Sequence, residues 1–244
     1  MSPSLIHPKS LSVDSAVEAK HQQALDAALN GDYDKALGMF DGVLSSVQEL
    51  PPELDSKVQE SRVKRDFGFT YLRQAIKNNS VSDVDMAEEL IQAAADLTFT
   101  ELSRLSGGNN TANPPILRGD KRRELVTEHG ATQSLIGRLA TVKQVVFGSS
   151  QTEASPIYEA AQANLISGTN VYYLVSNALH FARDRKINND SGGVKRGVEV
   201  AVAGLAIMGV SDPRNLPAAV KTLVSRVPDL RSRERAIKSV KAKP

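Results

Sequence analysis

Apolar residues recur along this chain at intervals of three and four, with polar residues between them. Val17, Ala24, Leu25, Ala28 and Leu29, with His21, fall on one helical face, and Ala36, Leu37, Phe40, Val43, Leu44 and Val47 fall on a second. That spacing is the signature of an amphipathic helix with one side turned to a core. The same period returns in Val63, Phe67, Tyr71 and Leu72, then in Leu90, Ile91, Ala94 and Leu97, and again in Val171, Leu174, Val175, Ala178 and Leu179. Strict alternation never persists, so no strand is expected. The pattern predicts helices over residues 15–30, 33–48 and 53–77, and one starting near 82. It predicts further helices over 118–147 with a break at Gly130, from 155 with a pause at Ser167-Gly168, and over 194–208. Short helices restart at Pro213 and Pro217, and Pro228 opens a last one, which gives about eight to ten in all.

Punctuation between these segments sets the organisation. Asn30-Gly31-Asp32 reads as a tight turn. Gly31 takes a left-handed conformation to end one helix, Asp32 caps the next, and Asp34 complements its dipole. Two amphipathic helices joined by so short a turn pack antiparallel. Leu50-Pro51-Pro52 stops the second helix and Asn78-Asn79-Ser80 the third. The Gly-, Asn- and Pro-rich run 106–118 reads as a loop between two helical regions. The expected organisation is a mobile N-terminal arm (1–14), helical hairpins (15–105), that loop, a C-terminal helical region (119–228) and a basic helix or tail (229–244).

The first hairpin resembles the tetratricopeptide repeat. Gly31-Asp32-Tyr33 stands where that family has its turn, with Ala36 and Phe40 at its small and aromatic positions and Ala24 at the small position of the first helix. Lys20, Ala27 and Gln48 depart from the pattern, where the family has an aromatic, a tyrosine and a proline. Phe67-Gly68-Phe69-Thr70-Tyr71, followed by Ala87, Ile91 and Ala94, resembles a second, divergent copy with a longer spacing. No third copy is visible, so the remaining helices or a partner must cover the hairpins. The resemblance implies an all-α fold of antiparallel helical hairpins, solenoid-like, continuing into a C-terminal helical bundle. It also implies a concave groove that holds a peptide. Carried over by position, the groove-facing residues are Arg62, Arg65, Phe69, Leu72 and Arg73, and three guanidinium groups around an aromatic suit an acidic or carboxylate-ended peptide.

Composition narrows the chemistry. The chain has no Cys, which excludes disulfides, thiol catalysis and thiolate metal sites and fits a cytoplasmic location. No apolar run is long enough for a membrane-spanning helix, and the first 15 residues lack a signal-peptide core. The net charge of +2 is unevenly spread: residues 221–244 hold 8 basic and 2 acidic side chains, and the other 220 hold 22 and 26. Arg231, Arg233, Arg235, Lys238 and Lys241 are the candidate anion or nucleic-acid contacts of that basic end.

Motifs for a nucleotide, a metal or a serine nucleophile are missing, and no cofactor or metal is expected. The four His are scattered. The carboxylate pairs Asp83/Asp85 and Glu88/Glu89 complement a helix dipole. Ser191-Gly192-Gly193 before Lys195 and Arg196 is a glycine-rich helix entry, read as an ordinary turn rather than an anion site. The expected function is a non-enzymatic interaction module, an adaptor or scaffold binding a protein or peptide. The alternative is a nucleic-acid-associated protein using its basic end. Self-association is compatible with both.

Overall fold

The computed structural model describes residues 15–51, 54–106, 119–148 and 153–211. Those residues form eight α-helices and no strand. They are α1 (Ser15–Leu29), α2 (Tyr33–Gln48), α3 (Leu54–Asn78), α4 (Val81–Ser106), α5 (Gly119–Val146), α6 (Ala154–Ser167), α7 (Val171–Ile187) and α8 (Ser191–Ser211). Each packs on the next, most extensively within the pairs α1–α2, α3–α4, α5–α6 and α7–α8. The odd-numbered helices also touch in sequence, α1 on α3, α3 on α5 and α5 on α7, and no even pair makes a comparable contact among the described residues. The fold is an all-α array of helical hairpins with the odd helices as one shared row.

One turn geometry is used four times. Gly31, Asn79, Thr169 and Asn189 all have left-handed φ, from 53° to 84°. The next amide closes back onto the ending helix: Asp32 N to Ala27 O, Ser80 N to Ala75 O, Asn170 N to Leu165 O, and Asp190 N to Arg185 O. This bond ties up a carbonyl that the helix end would otherwise leave unpaired. The residue that follows the left-handed one then starts the next helix. Ser80, Asn170 and Asp190 each accept a backbone N–H of the new first turn through the side chain. Asp32 occupies the same place, but its side chain makes no such bond, contrary to the expected cap.

The core follows the hairpins. One buried cluster joins α1, α2 and α3 around Phe40, which stacks on Phe67 at 5.5 Å. A second joins α3, α4 and α5 through Leu72, Ile91 and Leu139. Tyr158 and Phe181 anchor a third and Val175 and Ala201 a fourth. Stability built from successive local clusters is the mark of a stacked helical array.

Small residues set the helix spacing. A Cβ at Gly68 would lie 2.7 Å from Ile91 Cγ1 and 3.0 Å from the Ala87 carbonyl, so α3 and α4 meet at backbone distance. The helix α5 runs unbroken through Gly130, where a break was expected. Gly130 and Gly137 instead admit Leu165 and Tyr158 of α6. Gly197 and Gly204 do the same for Ala182 and Val175 of α7, and Gly193 N donates to Asp190. The glycine-rich opening of α8 is therefore packing and capping. Residues 1–14, 107–118 and 212–244 lie outside the described residues, and with them the expected N-terminal arm, most of the loop, the proline-started helices and the basic end.

Candidate functional site on the odd-helix row

The odd helices bring charged residues together that are far apart in sequence. Arg62 and Arg65 lie one turn apart on α3, and Glu124 and Glu128 lie one turn apart on α5. Arg62 donates to Glu124 at 2.6 Å and to Glu128 at 3.3 Å. Arg65 donates to Glu128 at 2.6 Å and to Asp66 at 3.0 Å. Asp66 also meets His21 Nε2 of α1 at 3.1 Å. Across the row, Arg65 reaches the Tyr173 hydroxyl of α7 at 3.5 Å, with its guanidinium 5.5 Å from that ring. One polar network thus spans all four odd helices.

Burial governs its electrostatics. Arg65 is 5% exposed and Glu128 2%. Burial by itself lowers an arginine's pKa and raises a carboxyl's. Here the partners outweigh it. Asp66 and Glu128 hold Arg65 well above its ordinary value, and Glu128 and Glu124 raise Arg62. For Asp66 the burial penalty is overcome by the Arg65 guanidinium and the hydrogen bond from His21, which keep the carboxyl well below the usual range. Burial raises the Tyr173 phenol. Each charge is held by another charge, which is the condition for burying any of them.

This placement corrects the expected groove. Arg62 and Arg65 are not on an open surface: α5 covers them and supplies their counter-ions. Leu72 is fully buried in the second core cluster. Counting positions along α3 identifies a face but not what lies over it. The pair Glu124 and Glu128, spaced i and i+4, is the signal that was available. Nothing in the linear sequence matches it to α3.

The other two predicted groove residues do come together, one to two turns further along α3. Phe69 and Arg73 are half-buried, with the Arg73 guanidinium 5.7 Å from the Phe69 ring and 5.6 Å from Tyr33. Arg138 of α5 stacks on the same Phe69 at 4.7 Å, and Lys77 lies 5.2 Å from Tyr33. Sequence reasoning missed Arg138, Tyr33 and Lys77 as members of this cluster. The row therefore has two zones. The first is buried and neutralised; the second mixes cations with aromatic rings. Arg231, Arg233, Arg235, Lys238 and Lys241 lie outside the described residues.

Among the described residues, no group of three or more His, Asp or Glu is arranged to hold a metal, and no helix is long and apolar enough to cross a membrane. Comparison with family models, curated proteins and solved structures returns no match. The class that the fold defines is an all-α protein of stacked helical hairpins.

Proposed function

We propose that this protein is a non-enzymatic interaction module, an adaptor or regulatory scaffold, that takes a protein or peptide partner on its odd-helix row. The observation that carries this reading is the Arg73–Phe69–Arg138 cluster, which joins α3 and α5 through one aromatic ring. Rigid aromatic and arginine side chains are the residues that dominate binding at protein interfaces. Within this reading the partner-binding set is Phe69 and Arg73, joined by Arg138. The finer resemblance to tetratricopeptide hairpins is supported by the left-handed Gly31, by fully buried Ala24, Ala36 and Phe40, and by Gly68 set against Ala87 and Ile91.

A photo-crosslinking side chain at Lys77 on the row, compared with one at Glu89 on α4, tests the face. Position 77 is expected to capture a partner from native lysate and position 89 is not, with capture lost on Arg73→Glu. Equal capture from both positions, unaffected by Arg73→Glu, would sink the assignment.

Charge segregation favours a second reading, nucleic-acid contact through Arg231, Arg233, Arg235, Lys238 and Lys241. It predicts affinity that falls steeply with salt and disappears from a 1–228 truncation. Affinity insensitive to salt would dismiss it.

A further inference from the structure

The last described helix carries a second apolar side. Gly193, Gly197, Ala201 and Gly204 seat α8 against α7. Val198 and Val202, one turn apart, lie to the outer side of that contact and are 45% and 59% exposed. Val194 and Leu205 flank them half-buried, so Val194, Val198, Val202 and Leu205 make one stripe at intervals of four and three. An apolar stripe on a helix is ordinarily turned to a core rather than to water.

The array shows what belongs on such a stripe. α2 packs on α3, α4 on α5 and α6 on α7, so each earlier even helix is followed by an odd one seated against it. α8 has no such successor among the described residues. The chain continues from it through residues 212–216, five residues that include Pro213. The connection from α2 to α3, residues 49–53, has the same length and also holds prolines. Residues 217–227 then open on a proline and place Val220, Leu223, Val224 and Val227 at the i, i+3, i+4, i+7 spacing of one helical side, with Lys221, Thr222, Ser225 and Arg226 on the other. A helix of that length is marginal in water by itself, so its apolar side needs a surface to lie on. A five-residue connection reaches at most about 17 Å, and the nearest apolar surface in that reach is the α8 stripe. Running back beside α8 over about 16 Å, the segment meets Leu205 and Val202.

We propose that residues 217–227 are the next odd helix of the array and seat Val220, Leu223, Val224 and Val227 on the outer stripe of α8 around Val202 and Leu205. The odd-helix row then has a fifth member beside α7, and the basic residues 229–244 depart from that end of the row. This goes beyond the interaction-module reading and holds with or without a partner.

The chain has no cysteine, so introduced pairs report the contact directly. In the full chain, Val202→Cys is combined in turn with Leu223→Cys, Val224→Cys and Val227→Cys, and with Thr222→Cys and Arg226→Cys as controls on the opposite side. Under mild oxidation at low protein concentration, at least one of the first three pairs is expected to close within the chain and neither control is, because a disulfide needs Cα atoms within about 7 Å. Hydrogen exchange supplies a second readout without cysteines. Leu223→Asp together with Val224→Asp should speed exchange of the α8 amides about tenfold or more, and Thr222→Asp should leave it unchanged. Internal closure confined to the apolar-side pairs, with faster α8 exchange in the acidic variant, sustains the seat. Disulfides between two chains in place of the internal one would assign the stripe to a second copy and overturn it. Equal closure by both sets, no internal closure, or α8 exchange indifferent to the acidic pair would overturn it as well.

Discussion

Removing Glu128 is the sharpest test of how the four hairpins are held together. Its carboxylate, 3% exposed, faces two guanidinium groups, Arg62 at 3.3 Å and Arg65 at 2.6 Å. At an effective dielectric constant near 20, each charge pair separated by about 4 Å attracts by roughly 4 kcal/mol. The gross attraction from two such pairs is then roughly 8 kcal/mol, and the cost of taking the carboxylate out of water opposes it. Deleting one partner does not recover that cost for the arginines, which stay buried. Glu128→Leu is therefore expected to destabilise by about 3–5 kcal/mol. Glu128→Gln, which keeps the shape and an acceptor, should lose less. Arg65→Met combined with Glu128→Leu should recover part of the loss, because the unmatched charge goes with its partner. The assay is urea unfolding followed by far-ultraviolet circular dichroism for the four members of the cycle. Stacked hairpins can unfold in stages, so hydrogen exchange of α3 and α5 should accompany it. The expected coupling lies at the upper end of roughly 0.5–3 kcal/mol. A loss below about 1 kcal/mol for Glu128→Leu, with additive behaviour in the double variant, would refute the reasoning.

Acid should weaken the fold in two windows. His129, whose pKa burial lowers despite nearby Glu128, is favoured in its neutral form, so its contribution is full above the unfolded value of about 6.5 and is lost as pH falls from there toward the folded value. Asp66 has a depressed carboxyl, so its contribution is full above about pH 4 and is lost below it. Melting temperature against pH should flatten in the upper window for His129→Gln and in the lower one for Asp66→Asn, and unchanged slopes would contradict the assignment. Gly68→Ala should destabilise by about 1–3 kcal/mol, because the added methyl meets Ile91 and the Ala87 carbonyl; a neutral result in a thermal melt would mean that α3 and α4 are further apart. Exposed Thr169 has a φ of 58°, unusual for a β-branched residue. Thr169→Gly should therefore stabilise by about 0.5–1 kcal/mol in urea unfolding, and destabilisation would remove the claim of strain.

Local periodicity made most of the fold legible. The stripe Ala36, Phe40, Val43 and Val47 is buried as its spacing implies, and the turn at Gly31 has the expected left-handed backbone. Reuse of that turn at Asn79, Thr169 and Asn189 was harder to read. Its chemistry is a backbone bond that does not specify the residue at the left-handed position: asparagine tolerates that conformation and threonine holds it at a cost, so no single residue marks it. Glycines in long helices were misleading for a related reason. Gly130 has the composition of a break and the role of a contact, and only the neighbour Leu165 distinguishes them.

The sequence by itself determined most of the elements, though not that α5 continues through Gly130, together with the antiparallel packing of the first hairpin and the apolar stripes of several helices. These depend on residues within a turn or two of one another, or across a connection of two or three residues. Only the tertiary structure decided what the polar residues of those faces do. Arg62 and Arg65 on one side and Phe69 and Arg73 on the other share one helix, and an arginine stands in each pair. The first pair became an internal joint because α5 places Glu124 and Glu128 over it; the second joined a cation–aromatic cluster because Arg138 follows one helix face further along. Whether a charge on a helix is solvated, buried or available to a partner depends on the charge of the neighbouring helix at that height. That height is set by packing between segments some 60 residues apart.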